Sequence, residues 1–97
     1  MTETVNGLAW EAEVTVLPKA GVNDPAGDSI RGGLEQLGYT DVTSVRAGKV
    51  INLVVQAASS EEAQAAVERM CDQLLANPVI ETYSVSVAPA EAANEGR

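Results

Sequence analysis

Histidine is absent from this 97-residue sequence, which removes the commonest general base, the commonest metal ligand and the usual activator of serine or cysteine nucleophiles. The single cysteine, Cys71, excludes an intramolecular disulfide and a zinc site built from several thiolates. Carboxylates and lysines remain available, so a free-standing enzyme is disfavoured but not excluded. We expect a chain that binds neither a metal nor a cofactor.

Basic residues are also scarce. Six lysines and arginines stand against 14 aspartates and glutamates, for a net charge of −8. Such a surface repels nucleic-acid backbones and anionic lipid headgroups, and the 3% aromatic content offers little for stacking on RNA bases. The sequence has no apolar run long enough to span a bilayer, and its first residues lack the features of a signal peptide. We therefore expect a cytoplasmic protein that binds neither nucleic acid nor membranes.

Phenylalanine is missing as well, whereas the hydrophobic content is 45%, so the core must be aliphatic. The length fits one small domain. A domain of this size is marginally stable alone, and oligomerisation is a common remedy. We predict a single domain over residues 8–88, flanked by flexible tails at residues 1–7 and 89–97.

The first half of the chain predicts a strand and a helix. Apolar and polar residues alternate over residues 8–17, which indicates a half-buried strand. Asp24 as N-cap and Pro25 in the first turn start a helix, which Gly38 ends in a left-handed conformation. The expected inward stripe of this helix is Ala26, Ile30, Gly33, Leu34 and Leu37.

The second half predicts a hairpin, a helix and a strand. Residues 42–46 and 50–57 are rich in β-formers on either side of a turn. Ser59 and Glu62 form a capping box, and Asn77-Pro78 stops the helix near Ala76, after which the chain is extended to Val87. The expected inward residues of this helix are Ala63, Ala66, Val67, Met70, Cys71, Leu74 and Leu75. Those of the last strand are Val79, Tyr83, Val85 and Val87.

The element order βαββαβ predicts an α+β fold: a four-stranded antiparallel sheet with two helices on one face, ferredoxin-like or related. The other sheet face would remain open. It would carry Glu11, Glu13, Thr15, Val50, Asn52, Val54, Ile80, Thr82 and Ser84. Val50, Val54 and Ile80 are large apolar side chains, and leaving them in water forgoes the free energy of burial. We therefore expect this face to be buried in a homodimer or higher oligomer.

Few residues are candidates for chemistry. Cys71 is interpreted as a buried structural thiol rather than a nucleophile, because it lies on the apolar helix stripe without a histidine partner. Glu11 and Glu13 share one strand face, where a solvated surface is favoured over a metal site or an acid–base pair. Arg46 and Lys49 flank the hairpin turn, and for them a docking role and a plain solubility role are equally open.

Three glycines, Gly27, Gly32 and Gly33, interrupt the first helix and weaken it. Close approach of the backbone to the sheet or to a partner explains them better than a phosphate-binding loop does. They lie within the predicted helix, and no strand directly precedes them.

Five motifs in register resemble the PurS family, the small subunit of phosphoribosylformylglycinamidine synthase. They are VTVLPK at residues 14–19, DPxG at 24–27, LGY at 37–39, VRxGK at 45–49 and CxxLLANPVIE at 71–81. Each motif alone is weakly specific, but together they cover nearly the whole domain. Asn23 is a local departure, because the family more often has an apolar residue there.

The resemblance implies a non-catalytic assembly subunit in purine biosynthesis. It implies two partners, a synthetase subunit PurL, which uses ATP and magnesium, and a glutaminase subunit PurQ. The chain would form homo-oligomers, bridge the two partners and support ammonia transfer between their sites. The alternative is a small-molecule-sensing ACT-like regulatory module of the same element order, with a ligand pocket at a dimer interface.

Two segments at element ends are the predicted subunit interface, joined by two valines of the open sheet face. The interface residues are Arg46, Gly48, Lys49, Val50, Val54, Asn77, Pro78, Val79, Ile80 and Glu81. We expect them to dock partner subunits and to take no part in catalysis.

Overall fold

Three antiparallel strands form one sheet in the computed structural model, which describes residues 8–90. The strands are β1 (Leu8–Pro18), β2 (Lys49–Ala57) and β3 (Glu81–Pro89), with β1 in the centre. Between them lie α1 (Pro25–Gln36) and α2 (Ser60–Met70), and a π-helical turn (Cys71–Leu75) continues α2. The predicted tail at residues 1–7, and the part of the second tail beyond residue 90, lie outside the described residues. β3 extends to Pro89, and Ala90 is buried.

The alternating pattern of β1 produces the centre of the core. Ala12, Val14 and Val16 are at most 1% exposed, because β1 is paired on both edges and covered on one face. Ala63, Val67 and Cys71 of the second helix are also completely buried. The half-buried residues packed around this cluster are Ile51, Leu53, Val55, Met70, Leu75, Tyr83, Val85 and Val87. The inward faces predicted for β1 and β2 are therefore confirmed.

The prediction of a four-stranded sheet is wrong. Residues 42–46 form no strand, and the sheet of the described chain has three strands in the order β2-β1-β3. The composition of this segment favours a strand, but its surroundings differ from those of a sheet edge. The next amide, of Ala47, donates to the Asp24 carboxylate, and the Val45 carbonyl lies against Gly27 at the start of α1. The segment therefore packs along the first turn of a helix instead of pairing with β2.

The prediction that both helices cover the sheet is also wrong, because α2 alone packs closely on it. The ends of α1 are as predicted: Asp24 caps the first turn, and Tyr39 N donates to Leu34 O at 2.9 Å next to Gly38, whose φ is +100°. Its apolar stripe nevertheless faces outward, with Ile30 48% exposed and Leu37 75% exposed. Local capping signals thus determine where α1 lies in the sequence but not what it packs against.

The π-helical turn changes which leucine faces the core. Ala76 N donates to Cys71 O at 3.0 Å, a bond that spans five residues and widens the last turn of the helix. As a result Leu75 is half-buried below Cys71, whereas Leu74 is 82% exposed. The inward position predicted for Leu74 assumed regular α-helical spacing and is wrong. The helix ends at Ala76, which is extended, as predicted from Asn77-Pro78.

Candidate docking site

The two predicted interface segments meet at one end of the sheet. β2 and β3 both run antiparallel to β1, so their first residues lie where β1 ends. Lys49 is paired with Val16, and Glu81 with Pro18. We call residues 18–21, 45–49 and 77–81 together the docking corner. Its two predicted parts are about 30 residues apart in the chain, and antiparallel pairing with the same central strand brings them together.

Residues 77–80 of the docking corner form a turn and not the start of a strand. Asn77 organises this turn: its side-chain oxygen accepts from Val79 N at 3.0 Å, and its carbonyl accepts from Glu81 N at 2.7 Å. The Glu81 carboxylate in return accepts from Asn77 N at 2.7 Å. Val79 and Ile80 therefore precede β3, and they are 77% and 41% exposed. Their predicted places within the last strand are wrong, but their exposure at the corner leaves them free to contact a partner.

Hydrogen bonds from the end of β1 tie the two segments of the docking corner together. Lys19 N donates to Ile80 O at 2.8 Å, and Arg46 Nη1 donates to Pro18 O at 3.0 Å. Arg46 and Lys49 are both exposed. With Lys19, the corner therefore presents three of the six basic side chains of an acidic chain, next to an exposed apolar turn.

The approach of residues 45–48 to their neighbours is so close that two positions require glycine. A Cβ on Gly27 would lie 2.5 Å from Val45 O and even closer to the Asp24 carboxylate. A Cβ on Gly48 would overlap Val16 O and lie 2.8 Å from Leu17 Cδ2. The interpretation of close backbone approach holds for Gly27. At Gly32 and Gly33 the sheet does not approach, because a Cβ there would have no neighbour within 4 Å among the described residues. Approach of a partner at these two positions stays a prediction.

A groove of about 420 Å³ lies beside the docking corner, between the end of β1 and the start of α1. Lys19 and Arg46 line it on one side, together with the carboxylates of Asp24 and Asp28. The mixed charges suit a polar protein surface better than a phosphate group, which the two carboxylates would repel. The groove therefore adds polar contact area to the corner.

The outer face of the sheet bears the two remaining predicted interface residues. Val50 is 54% exposed and Val54 57% exposed, and in the register they stand opposite Thr15 and Glu11. The exposed residues of the other two strands on this face include Glu13, Thr82, Ser84 and Ser86. No described element covers this face, in agreement with the predicted open side, although Ile80 belongs to the turn and not to it.

Cys71 has no feature of a nucleophile. It is completely buried under α2. Burial raises the pKa of its thiol, and the charges of Asp72 and Glu68 raise this pKa further. A thiol that resists ionisation is a poor nucleophile. Within residues 8–90, no three histidine, cysteine or carboxylate side chains are grouped so that they could hold a metal ion.

Sequence reasoning missed the segment at the end of β1, residues 18–21, and it missed the contribution of Asp24 beside the corner. Its role as helix cap is visible in the sequence, and Oδ1 does accept from Gly27 N at 3.1 Å. Its second oxygen, Oδ2, accepts from Ala47 N at 3.0 Å, a contact across 23 residues. A local motif gives no signal for that contact, which depends on where residues 45–48 pass.

The fold and the site together define a small α+β module: a three-stranded sheet with an exposed, hydrogen-bonded corner and a buried thiol. The family model described as PurS, phosphoribosylformylglycinamidine (FGAM) synthase, matches residues 11–89. The PurS subunit of phosphoribosylformylglycinamidine synthase from Synechocystis is 41% identical over 85 residues, which cover 88% of this chain and 85% of that protein. The chain belongs to the PurS family and is thus a subunit of this synthase of purine biosynthesis.

Solved structures agree with this family. The crystal structure of the Thermotoga maritima PurS subunit matches with a TM-score of 0.75 and 33% identity, covering 84% of this chain and 94% of that one. A chain in the structure of PurLQS from Thermotoga maritima matches with a TM-score of 0.73 and 34% identity, covering 82% and 98%. The resemblance read from the five motifs is confirmed, and the ACT-like alternative is not favoured.

Within residues 8–90, every helix is too short or too polar to span a bilayer.

Proposed function

We propose that the chain is a non-catalytic assembly subunit, which bridges the glutaminase PurQ and the synthetase PurL and supports the transfer of ammonia between their active sites. The observation that carries this proposal is the docking corner, where two distant segments present basic and apolar groups on a hydrogen-bonded frame. The PurLQS structure supports it, because a chain of the same fold occurs there with the two larger subunits. The proposed place of action is the cytoplasm.

The chemistry of the reaction would belong to the partners. ATP and magnesium would be bound by the synthetase and glutamine by the glutaminase, with no cofactor on this chain. The buried Cys71, whose pKa is raised by burial, supports this division of roles. A bridging subunit needs surface and rigidity, and the docking corner offers both.

The double variant Arg46→Glu with Lys49→Glu tests the docking role. Reversing both charges places two carboxylates where the partner would have met two cations, and like-charge contacts at an interface are strongly unfavourable. We expect binding to the reconstituted synthetase and glutaminase to weaken by at least about tenfold. The circular dichroism spectrum should stay unchanged, because both side chains are exposed. Isothermal titration calorimetry measures the affinity.

The matched control is Arg31→Glu with Arg69→Glu. These arginines are exposed on α1 and α2, outside the three segments of the docking corner, and their reversal changes the net charge equally. We expect this variant to bind as the parent does. Equal weakening in both double variants would show that net charge matters and that the corner is not the contact.

We also propose that the outer sheet face, centred on Val50 and Val54, joins two copies of the chain. Burying each of the two valines in the contact would stabilise the dimer by roughly 1.5–3 kcal/mol. The surrounding serine, threonine and asparagine side chains suit an interface that is part apolar and part polar. A dimer would give the two larger subunits a composite surface to share.

Val54→Asp tests this dimer. The new carboxylate would face Glu11 across the strand pair and its own symmetry mate across the contact. We expect a folded monomer by sedimentation velocity at micromolar concentration, whereas the control Val54→Thr, which keeps the shape of the side chain, should remain dimeric. A monomeric parent chain would refute the dimer. An oligomer that withstands Val54→Asp would place its interface elsewhere.

A further inference from the structure

The Asp24 carboxylate connects two parts of the molecule that are distant in the sequence. Oδ1 accepts from Gly27 N at 3.1 Å and so caps α1, while Oδ2 accepts from Ala47 N at 3.0 Å. The two bonded amides belong to a helix start and to an irregular segment 20 residues later in the chain. Each carboxylate oxygen therefore serves a different element.

Residues 42–48 have no regular structure, so no neighbouring strand supplies acceptors for their amides. Ala47 lies directly between Arg46 and Gly48, at the point where the docking corner turns into β2. Asp24 supplies the acceptor that a strand would otherwise provide. The missing side chain of Gly27 allows the Val45 carbonyl to approach beside it. The segment thus contacts the start of α1 twice, through Val45 O beside Gly27 and through Ala47 N bonded to Asp24.

We propose that Asp24 is a positioning residue for docking: through Oδ2 it holds residues 45–48 in the orientation in which Arg46 and Lys49 face the partner subunit. This inference rests on the proposed function of the corner. The physical gain is preorganisation, because a segment that is already ordered in the free chain loses less conformational entropy on binding. The helix cap is a separate role of the same side chain.

Asparagine at this position separates the two roles. Asn caps helices as well as Asp does, so Asp24→Asn keeps an oxygen for Gly27 N. The other atom becomes an NH₂ group, a donor, which cannot accept from Ala47 N–H. Asp24→Ala removes both bonds. The charge control is Glu35→Gln, which loses the same carboxylate charge at the other end of α1 and lines neither the groove nor the docking corner.

The first measurement is amide hydrogen exchange of the free chain by NMR. In Asp24→Asn we expect exchange at Ala47 to accelerate by at least about tenfold, the loss expected for a hydrogen bond to a charged group, and exchange at Gly27 to remain as in the parent. In Asp24→Ala both amides should exchange faster. Unchanged exchange at Ala47 in both Asp24→Asn and Asp24→Ala would overturn the proposal, because the bond would then not hold the segment.

The second measurement is the affinity for the reconstituted synthetase and glutaminase subunits by calorimetry. We expect Asp24→Asn to bind about tenfold more weakly than the parent, and Glu35→Gln to bind equally well. Parent-like affinity of Asp24→Asn, together with fast exchange at Ala47, would also overturn the proposal. A parent chain that binds neither subunit would instead refute the proposed function, and the docking role of Asp24 with it.

Discussion

Replacing Gly48 with alanine is expected to lower the free energy of unfolding by roughly 3 kcal/mol, the upper part of the usual range for overpacking. The added methyl group would overlap the Val16 carbonyl and press on Leu17 Cδ2. Both neighbours belong to β1, which is held by strands on both edges and cannot move aside. The start of β2 must therefore detach, which displaces Lys49 and weakens docking as well. Urea unfolding followed by Trp10 fluorescence measures the loss.

Gly33→Ala is the control for this prediction. A Cβ at Gly33 has no neighbour within 4 Å, and the residue lies inside α1. Alanine favours the helix over glycine by about 1 kcal/mol, so this variant should be slightly more stable than the parent. If Gly48→Ala unfolded at the same urea concentration as the parent, the close approach to β1 would be more adaptable than its geometry indicates.

Val67→Ala is expected to lower the free energy of unfolding by roughly 2–3 kcal/mol, because it removes two methyl groups and leaves a cavity beneath α2. Val67 is completely buried in the core cluster. In contrast, Leu74→Ala should change the stability of the monomeric chain by less than about 0.5 kcal/mol, as is usual at exposed positions. A regular α-helix through residue 75 predicts a large loss at Leu74. Equilibrium unfolding of the two variants side by side decides between the π-helical and the regular turn.

A large loss of stability in Leu74→Ala, comparable to that in Val67→Ala, would show that Leu74 faces the core after all. The π-helical bond from Ala76 N to Cys71 O would then be contradicted. The expected contrast requires a folded parent chain at a concentration low enough to exclude association. Sedimentation velocity at the same concentration checks that condition.

The local features of the fold could be predicted from the sequence. Alternating residues determine which side of β1 and β2 faces inward, since a strand reverses its side-chain direction at every residue. The caps at Asp24 and Ser59 and the left-handed Gly38 are equally local, because each involves residues no more than a few positions apart. The five motifs indicated the family for the same reason: they are read directly from adjacent residues.

The candidate site could be predicted only in part. Arg46, Lys49 and the segment from Asn77 to Glu81 were selected from their places at element ends, and the structure brings them to one corner. Their hydrogen bonds to the end of β1 could not be foreseen, since backbone groups of Pro18 and Lys19 form them. Backbone groups are the same in every sequence, so no residue type signals such a contact.

The sequence by itself determined the ends of the helices, the inward faces of two strands and the lack of the usual catalytic groups, because these depend on residue identity and short-range spacing. The tertiary structure decided three further points. Residues 42–46, although rich in β-formers, form no strand, because Asp24 and Gly27 hold the adjoining backbone against α1. Leu74 turns outward because the helix widens at its end, and the apolar stripe of α1 remains uncovered. The course of residues 42–46 and the exposure of α1 depend on how distant parts of the chain pack, whose free energies exceed the small differences in local propensity. The widened turn is a departure from regular helical spacing, which the apolar pattern of the sequence does not signal.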